Sequence, residues 1–254
     1  MLPHERIGDA IARANEAGRT GLVPFITAGY PDPADFMETL KAVAEVGDVV
    51  ELGVPFSDPM ADGMTIQRSS FTAIENGVTL RWIFDQLAAG GPVDRPLVMM
   101  SYLNPLLSFG YTKLAQRARE TGVCAFIVPD LPLEESEEIR TALEAQGLGL
   151  IQLVTPATPE RRLKALAEAS RGFLYAVTIT GITGGDAGLP DDLAAYLDKV
   201  AAVSRLPVCA GFGIRSKNDV VNVGRHAAGA IVGSALVEVL ERGEDPAAFL
   251  EGLR

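Results

Sequence analysis

Eight short runs of continuous apolar residues, each followed by a stretch with helical periodicity, constrain this sequence more than any other feature. The runs are LVPFITA (22–28), DVVELG (48–53), LVMMSY (97–102), CAFIVP (124–129), GLIQLV (149–154), FLYAVT (173–178), PVCAG (207–211) and AGAIVG (228–233). They are continuous rather than alternating, which is the mark of parallel strands covered on both sides. Amphipathic stretches such as ADFMETLKAVAEV, LEESEEIRTALEAQG and PERRLKALAEAS lie between them and supply the cover. Eight βα units in 254 residues predict an α/β protein built as a single closed (β/α)8 (TIM) barrel, a fold typically of roughly 250 residues. An open doubly wound sheet is the competing architecture and more often has fewer strands at this size. The segment HERIGDAIARANEAG before the first strand predicts an extra N-terminal helix that closes the bottom of the barrel. No linker, low-complexity tract or shift in composition divides the chain, so one domain over 1–254 is expected.

Counting residues narrows the chemistry. The net charge is −11, and the field of Lys and Arg that non-specific nucleic-acid binding needs is not visible. No apolar run approaches the ~18 residues of a membrane span. The acidic, helical N-terminal stretch does not read as a targeting peptide, so a cytoplasmic protein is expected. Cys124 and Cys209 both sit in apolar runs and read as buried free thiols rather than a disulfide or redox pair. His4 and His226 are the only histidines, which leaves no material for a His-based metal site or triad.

Barrel enzymes place their chemistry at the C-terminal ends of the strands. Polar residues with no packing reason to be there are Thr27, Glu51, Tyr102, Asn104, Asp130, Tyr175 and the glycine Gly213. Glu51 is the sharpest of these. It interrupts DVVELGVPF on a strand whose inner side faces the barrel, where a carboxylate is costly to ionise, so its pKa should rise toward neutrality. A buried glutamate satisfied by a neighbouring hydroxyl is the competing reading. Asp58 and Asp62 follow on the loop GVPFSDPMADG. Each by itself is explained as a turn former or helix cap, yet a pair of carboxylates around one pocket suits general acid–base work. The loop ITGITGGDAGLP after the sixth strand is similarly long and rich in Gly.

A phosphate signal is spread over three late loops: Gly184 after the sixth strand, Gly211-Phe212-Gly213 after the seventh, and Gly233-Ser234 after the eighth. Gly-Ser opening the helix SALVEVLE presents free N–H groups at a positive helix end. Any one of these glycines is explained by a turn, and neither GxGxxG nor a Walker A pattern occurs. Arg215 and Lys217 follow and read as a solvated helix start.

These blocks together, VPFITAGYPD (23–32), VELGVPFSDPMADGMTIQ (50–67), MSYLNP (100–105), FIVPDLPLEES (126–136), TGITG (180–184), AGFGI (210–214) and GAIVGSA (229–235), resemble the tryptophan synthase alpha-chain family over almost the whole chain. The resemblance implies a carbon–carbon lyase of tryptophan biosynthesis that splits indole-3-glycerol phosphate into indole and glyceraldehyde 3-phosphate. It places the family's catalytic pair on Glu51 and Asp62, with Tyr175 near Glu51 and Thr183 on a loop that closes over substrate. It implies an indole pocket of Phe25, Met100, Tyr102, Ile127, Pro129 and Leu153, and phosphate contacts from Gly184, Gly213, Gly233 and Ser234. Pro55, Asp58 and Asn104 correspond to the face that meets a beta chain in an α2β2 heterotetramer. No metal or cofactor is implied in this chain; pyridoxal phosphate belongs to the partner. A stand-alone indole-releasing lyase shares the same residues and is the nearest alternative. A Schiff-base aldolase needs a strand-end lysine, which the eight runs lack, and a non-catalytic barrel would be expected to have lost one carboxylate.

Overall fold

The computed structural model describes residues 1–177, 191–211 and 213–254, with only the backbone of residue 191. In chain order its elements are α1 (Glu5–Glu16), β1 (Gly21–Thr27), α2 (Phe36–Val46), β2 (Val50–Gly53), α3 (Met64–Glu75), α4 (Leu80–Gly90), β3 (Leu97–Met100), α5 (Leu103–Phe109) and α6 (Tyr111–Glu120). There follow β4 (Val123–Ile127), α7 (Glu137–Glu144), β5 (Gly149–Val154), α8 (Glu160–Ala169), β6 (Leu174–Val177), α9 (Asp191–Val203), β7 (Val208–Gly211), α10 (Lys217–Gly224), β8 (Gly229–Val232), α11 (Ser234–Glu241) and α12 (Pro246–Gly252). The eight strands form a closed barrel in sequence order, all parallel, with β8 returning to β1 through Gly21↔Gly229 to Pro24↔Val232.

Alternation along each strand sorts the side chains into two cores. Leu22, Val50, Leu52, Leu97, Met99 and Phe126 point outward and pack under the helices. Val23, Val98, Ala125, Ile127, Ile151, Cys209 and Ile231 fill the barrel interior, together with Ile7, Ala10 and Ile11 of α1. The N-terminal helix therefore plugs the bottom of the barrel as its apolar stripe predicts. Ile7 and Ile11 are fully buried, and the plug seats closely because Gly172, at φ 88°, and Gly21 carry no Cβ to meet them; a methyl there would lie 3.1 Å from each isoleucine. Both cysteines are buried free thiols.

Every expected run contains a strand, but several strands are shorter than their runs. The second begins only at Val50, because Asp48 turns its carboxylate onto the N–H of Leu22 (2.9 Å) and pairs with Arg19 and Arg254 at 3.5 and 3.3 Å. The third ends at Met100 because Leu103 already opens α5, its N–H donating to the Asp130 carboxylate (2.9 Å). Among the described residues no helix is long and apolar enough to cross a membrane.

Candidate active site

Glu51 sits between Val50 and Leu52, both of the outer core, so alternation turns it into the barrel. In register it stands opposite Phe25 of β1 and Val98 of β3. It is 1% exposed, and its Oε2 has no hydrogen-bond partner among the described residues. Burial, and secondly the charge of Asp62, push its carboxyl up to about 8. At neutral pH such a group is mostly protonated, so it can give a proton and, once ionised in an apolar surround, take one back.

Asp62 reaches the same cavity from the loop between β2 and α3. The phenol of Tyr102 donates to its Oδ2 (3.1 Å) and accepts from the N–H of Ala61 (2.8 Å). Gln67 Nε2 donates to the Asp62 carbonyl (2.8 Å). The carboxylate is thus held by Tyr102 at the start of α5, and the Asp62 backbone by Gln67 of α3. Burial raises its pKa, and the Tyr102 hydrogen bond opposes that rise. Tyr102 itself stacks on Phe56, ring centres 4.9 Å apart, and its phenol is pushed up to about 12, chiefly by burial. Its place is beside Asp62; it is not among the residues that line the cavity.

Tyr175 points inward from β6, level with Leu153 and Cys209. Its phenol is raised well above the ordinary value by burial, then by the charge of Glu51. The ring fits because residue 211 has no side chain: a Cβ on Gly211 would stand 2.5 Å from the Tyr175 phenol oxygen. Gly211→Ala is therefore expected to drive the ring toward the carboxylates and to cost about tenfold or more in kcat/KM, as small displacements in a reacting site do. Steady-state kinetics beside a melting curve check this, since unchanged kinetics in a folded variant would show that Tyr175 has room to move.

The cavity of about 280 Å³ joins Glu51, Asp62, Phe25, Met100 and Tyr175 to Gly213, Gly233 and Ser234. Gly233 caps α11 with no side-chain hydrogen bond, and its carbonyl accepts from Leu236 and Val237. The N–H groups of Ser234 and Ala235, whose residues both line the cavity, are left without helical partners at the positive end of α11. That is a ready anion site.

Other sequence candidates fall elsewhere. Pro129 and Leu153 line a separate depression of about 300 Å³ beside Asp130, and Ile127 is fully buried in the inner core. Thr27 is bound to Ser69 (2.6 Å), which gives it a packing role. Pro55 is buried, whereas Asp58 and Asn104 are exposed on the rim. Thr183, Gly184 and Phe212 lie outside the described residues. Reading the sequence missed Ile66, Ile214, Ile231 and Ala235, which line the cavity; of these only Ile231 carried a signal, its inward parity on β8. Arg215, read as a solvated helix start, also lines it. A larger cavity of about 860 Å³ lies among α1, α8 and α9, lined by His4, Arg171 and Arg205, at the end of the barrel where strands begin rather than where chemistry is placed. Among the described residues no group of His, Cys, Asp and Glu is arranged to hold a metal ion.

The family model described as tryptophan synthase alpha chain matches residues 11–251. The tryptophan synthase alpha chain of Roseiflexus castenholzii is 44% identical over 240 residues, 93% of this chain and 92% of its own. That of Dehalococcoides mccartyi is 38% identical over 254 residues, 98% of each. Among solved structures, tryptophan synthase from Mycobacterium tuberculosis superposes with a TM-score of 0.90 at 35% identity, covering 98% of this chain and 96% of that one. The alpha subunit from Legionella pneumophila gives 0.87 at 30%, covering 100% and 98%.

Proposed function

The chain belongs to the tryptophan synthase alpha chain family, and from that premise we propose that Glu51 and Asp62 are the pair with which it cleaves indole-3-glycerol phosphate. The activity is a carbon–carbon lyase reaction of tryptophan biosynthesis that releases indole and glyceraldehyde 3-phosphate. Alpha chains of this family pair with a beta chain in an α2β2 complex; the beta chain carries pyridoxal phosphate and the alpha chain carries no cofactor. We place the enzyme in the cytoplasm and treat 1–254 as one domain.

The observation that carries the residue assignment is Glu51: a buried carboxyl with one oxygen unpartnered among the described residues and its pKa raised to about 8, in one cavity with a second carboxylate and the N-terminus of α11. Glu51 donates its proton to indole C3, which leaves positive charge on the ring. Asp62, held by Tyr102, accepts a hydrogen bond from the indole N–H and stabilises that charge. The bond from C3 to the carbinol carbon then breaks, its electron pair restores the aromatic ring, and the carbinol hydroxyl gives its proton to ionised Glu51 as the aldehyde forms. One proton enters and one leaves, so Glu51 ends as it began.

Phe25 and Met100 supply apolar walls for the indole, and Tyr175 bounds the space around Glu51. Gly213, Gly233 and Ser234 hold the phosphate, with Gly184 and Thr183 assigned by resemblance alone. The rim bearing Asp58 and Asn104 faces the beta chain; exposed Met60 (85%), Met64 (75%) and Leu107 (56%) give it the apolar character of an interface.

Ser234→Asp tests the phosphate end. A carboxylate at the first position of α11 suits the helix dipole but repels a phosphate dianion. KM should rise at least about tenfold with the melting temperature unchanged or higher. An unchanged KM would place the phosphate elsewhere.

A further inference from the structure

Resting on the phosphate assignment above, one residue of the cavity stands out by its charge. Among the described residues Arg215 is the sole cation lining it, in a chain of net charge −11 whose cavity already holds two carboxyl groups. A dianion entering there needs more than the partial charge of one helix end, roughly half an elementary charge. Arg215 follows the β7 loop that carries Gly213, and its guanidinium forks onto Glu238 of α11, Nη1 to Oε2 at 2.7 Å and Nη2 to Oε1 at 3.0 Å. Glu238 is held from a third element as well, accepting from Thr65 Oγ1 of α3 at 3.4 Å.

The fork uses two of the five N–H donors of a guanidinium. The remaining three have no partner among the described residues, on a side chain that is 57% exposed and tied to Glu238. We propose that Arg215 is a substrate-anchoring residue, its free N–H groups completing the phosphate nest begun by Gly213, Gly233 and Ser234, and that Glu238 is the positioning residue that aims it. Thr65 then ties this splint to α3, the helix that starts just after Asp62-Gly63.

The test uses sn-glycerol 3-phosphate as an unreactive dianion, with its affinity measured by calorimetry and by competitive inhibition of indole release. Arg215→Gln is expected to weaken it about tenfold, the loss of one charge-assisted contact, and to raise KM similarly while kcat stays within about twofold. Arg215→Lys should recover part of that loss, since a point charge replaces the planar fork. Glu238→Gln should weaken binding less than Arg215→Gln, because the guanidinium remains but is no longer held. The salt dependence of affinity should flatten in Arg215→Gln. Ser234→Asp serves as the control for the site itself. Binding lost in Ser234→Asp but kept within about twofold in Arg215→Gln overturns the role of Arg215 and leaves the phosphate site standing. Unchanged binding in both variants removes the phosphate site as well. A fall in kcat and melting temperature without a change in affinity would make the Arg215–Glu238 pair a structural brace only.

Discussion

Glu51→Gln is expected to lower turnover of indole-3-glycerol phosphate at least about 100-fold, the lower end of what general acid–base catalysis contributes. Glutamine keeps the size and polarity of the side chain, so affinity for substrate should change little. The wild-type rate should also fall as pH rises through about 8, where Glu51 loses the proton it has to donate, and this limb should be absent from whatever activity the variant retains. A second consequence concerns stability. The folded pKa is raised from 4.5 to about 8, so the folded state binds the proton more tightly than the unfolded chain. The stability this contributes is complete below about pH 4.5 and is lost as pH rises through about 8. Glu51→Gln removes that dependence. Between pH 5 and pH 9 its melting temperature should gain on the wild type by about 2 °C or more. Parallel melting curves for the two proteins would disconfirm the raised pKa whatever the kinetics show.

Asp62→Asn should lower kcat by about 10- to 100-fold with a smaller change in KM, because its charge matters only when positive charge develops on the indole ring. Asparagine can still accept the Tyr102 hydrogen bond, which keeps the geometry near 3.1 Å and isolates the charge. The two carboxyls are also coupled, since the charge of Asp62 helps to hold Glu51 up. Its removal should shift the alkaline limb of the pH–rate profile to lower pH. A profile that keeps its position would mean that burial alone sets the Glu51 pKa.

What was legible in the sequence follows from which interactions are local. The eight strands were readable because both faces of a parallel barrel strand are buried, which leaves an unbroken apolar run; Glu51 was readable because it breaks one. Strand ends were less so. Asp48 lies inside an apolar run yet leaves the strand to accept from Leu22, a contact that depends on the neighbouring strand's register. Tyr102 could be placed in the site, but its bond to Asp62 joins positions 40 residues apart. Arg215 looked like an ordinary helix start because its partner Glu238 stands 23 residues on, on the next βα unit. Pro129 and Leu153 reached the prediction through resemblance; Pro129 lines a neighbouring depression because of the path of the chain after β4, whereas Leu153 of β5 also packs on the inner core beside Tyr175. Ala235 is an apolar residue on an apolar helix face, where nothing distinguishes a cavity wall from a core, and Ile66 shares its face of α3 with Ser69 and Ser70, which gives no apolar stripe to read.

The central claim is that this cavity, built around Glu51 and Asp62, releases indole from indole-3-glycerol phosphate as half of a two-chain enzyme. Indole release by the wild-type chain, measured alone and after addition of a tryptophan synthase beta chain, tests it most directly. The expected result is slow release alone and strong stimulation by the partner, as partner docking excludes water and fixes the Asp62 loop. Absence of indole under both conditions, from a folded chain, would contradict the account.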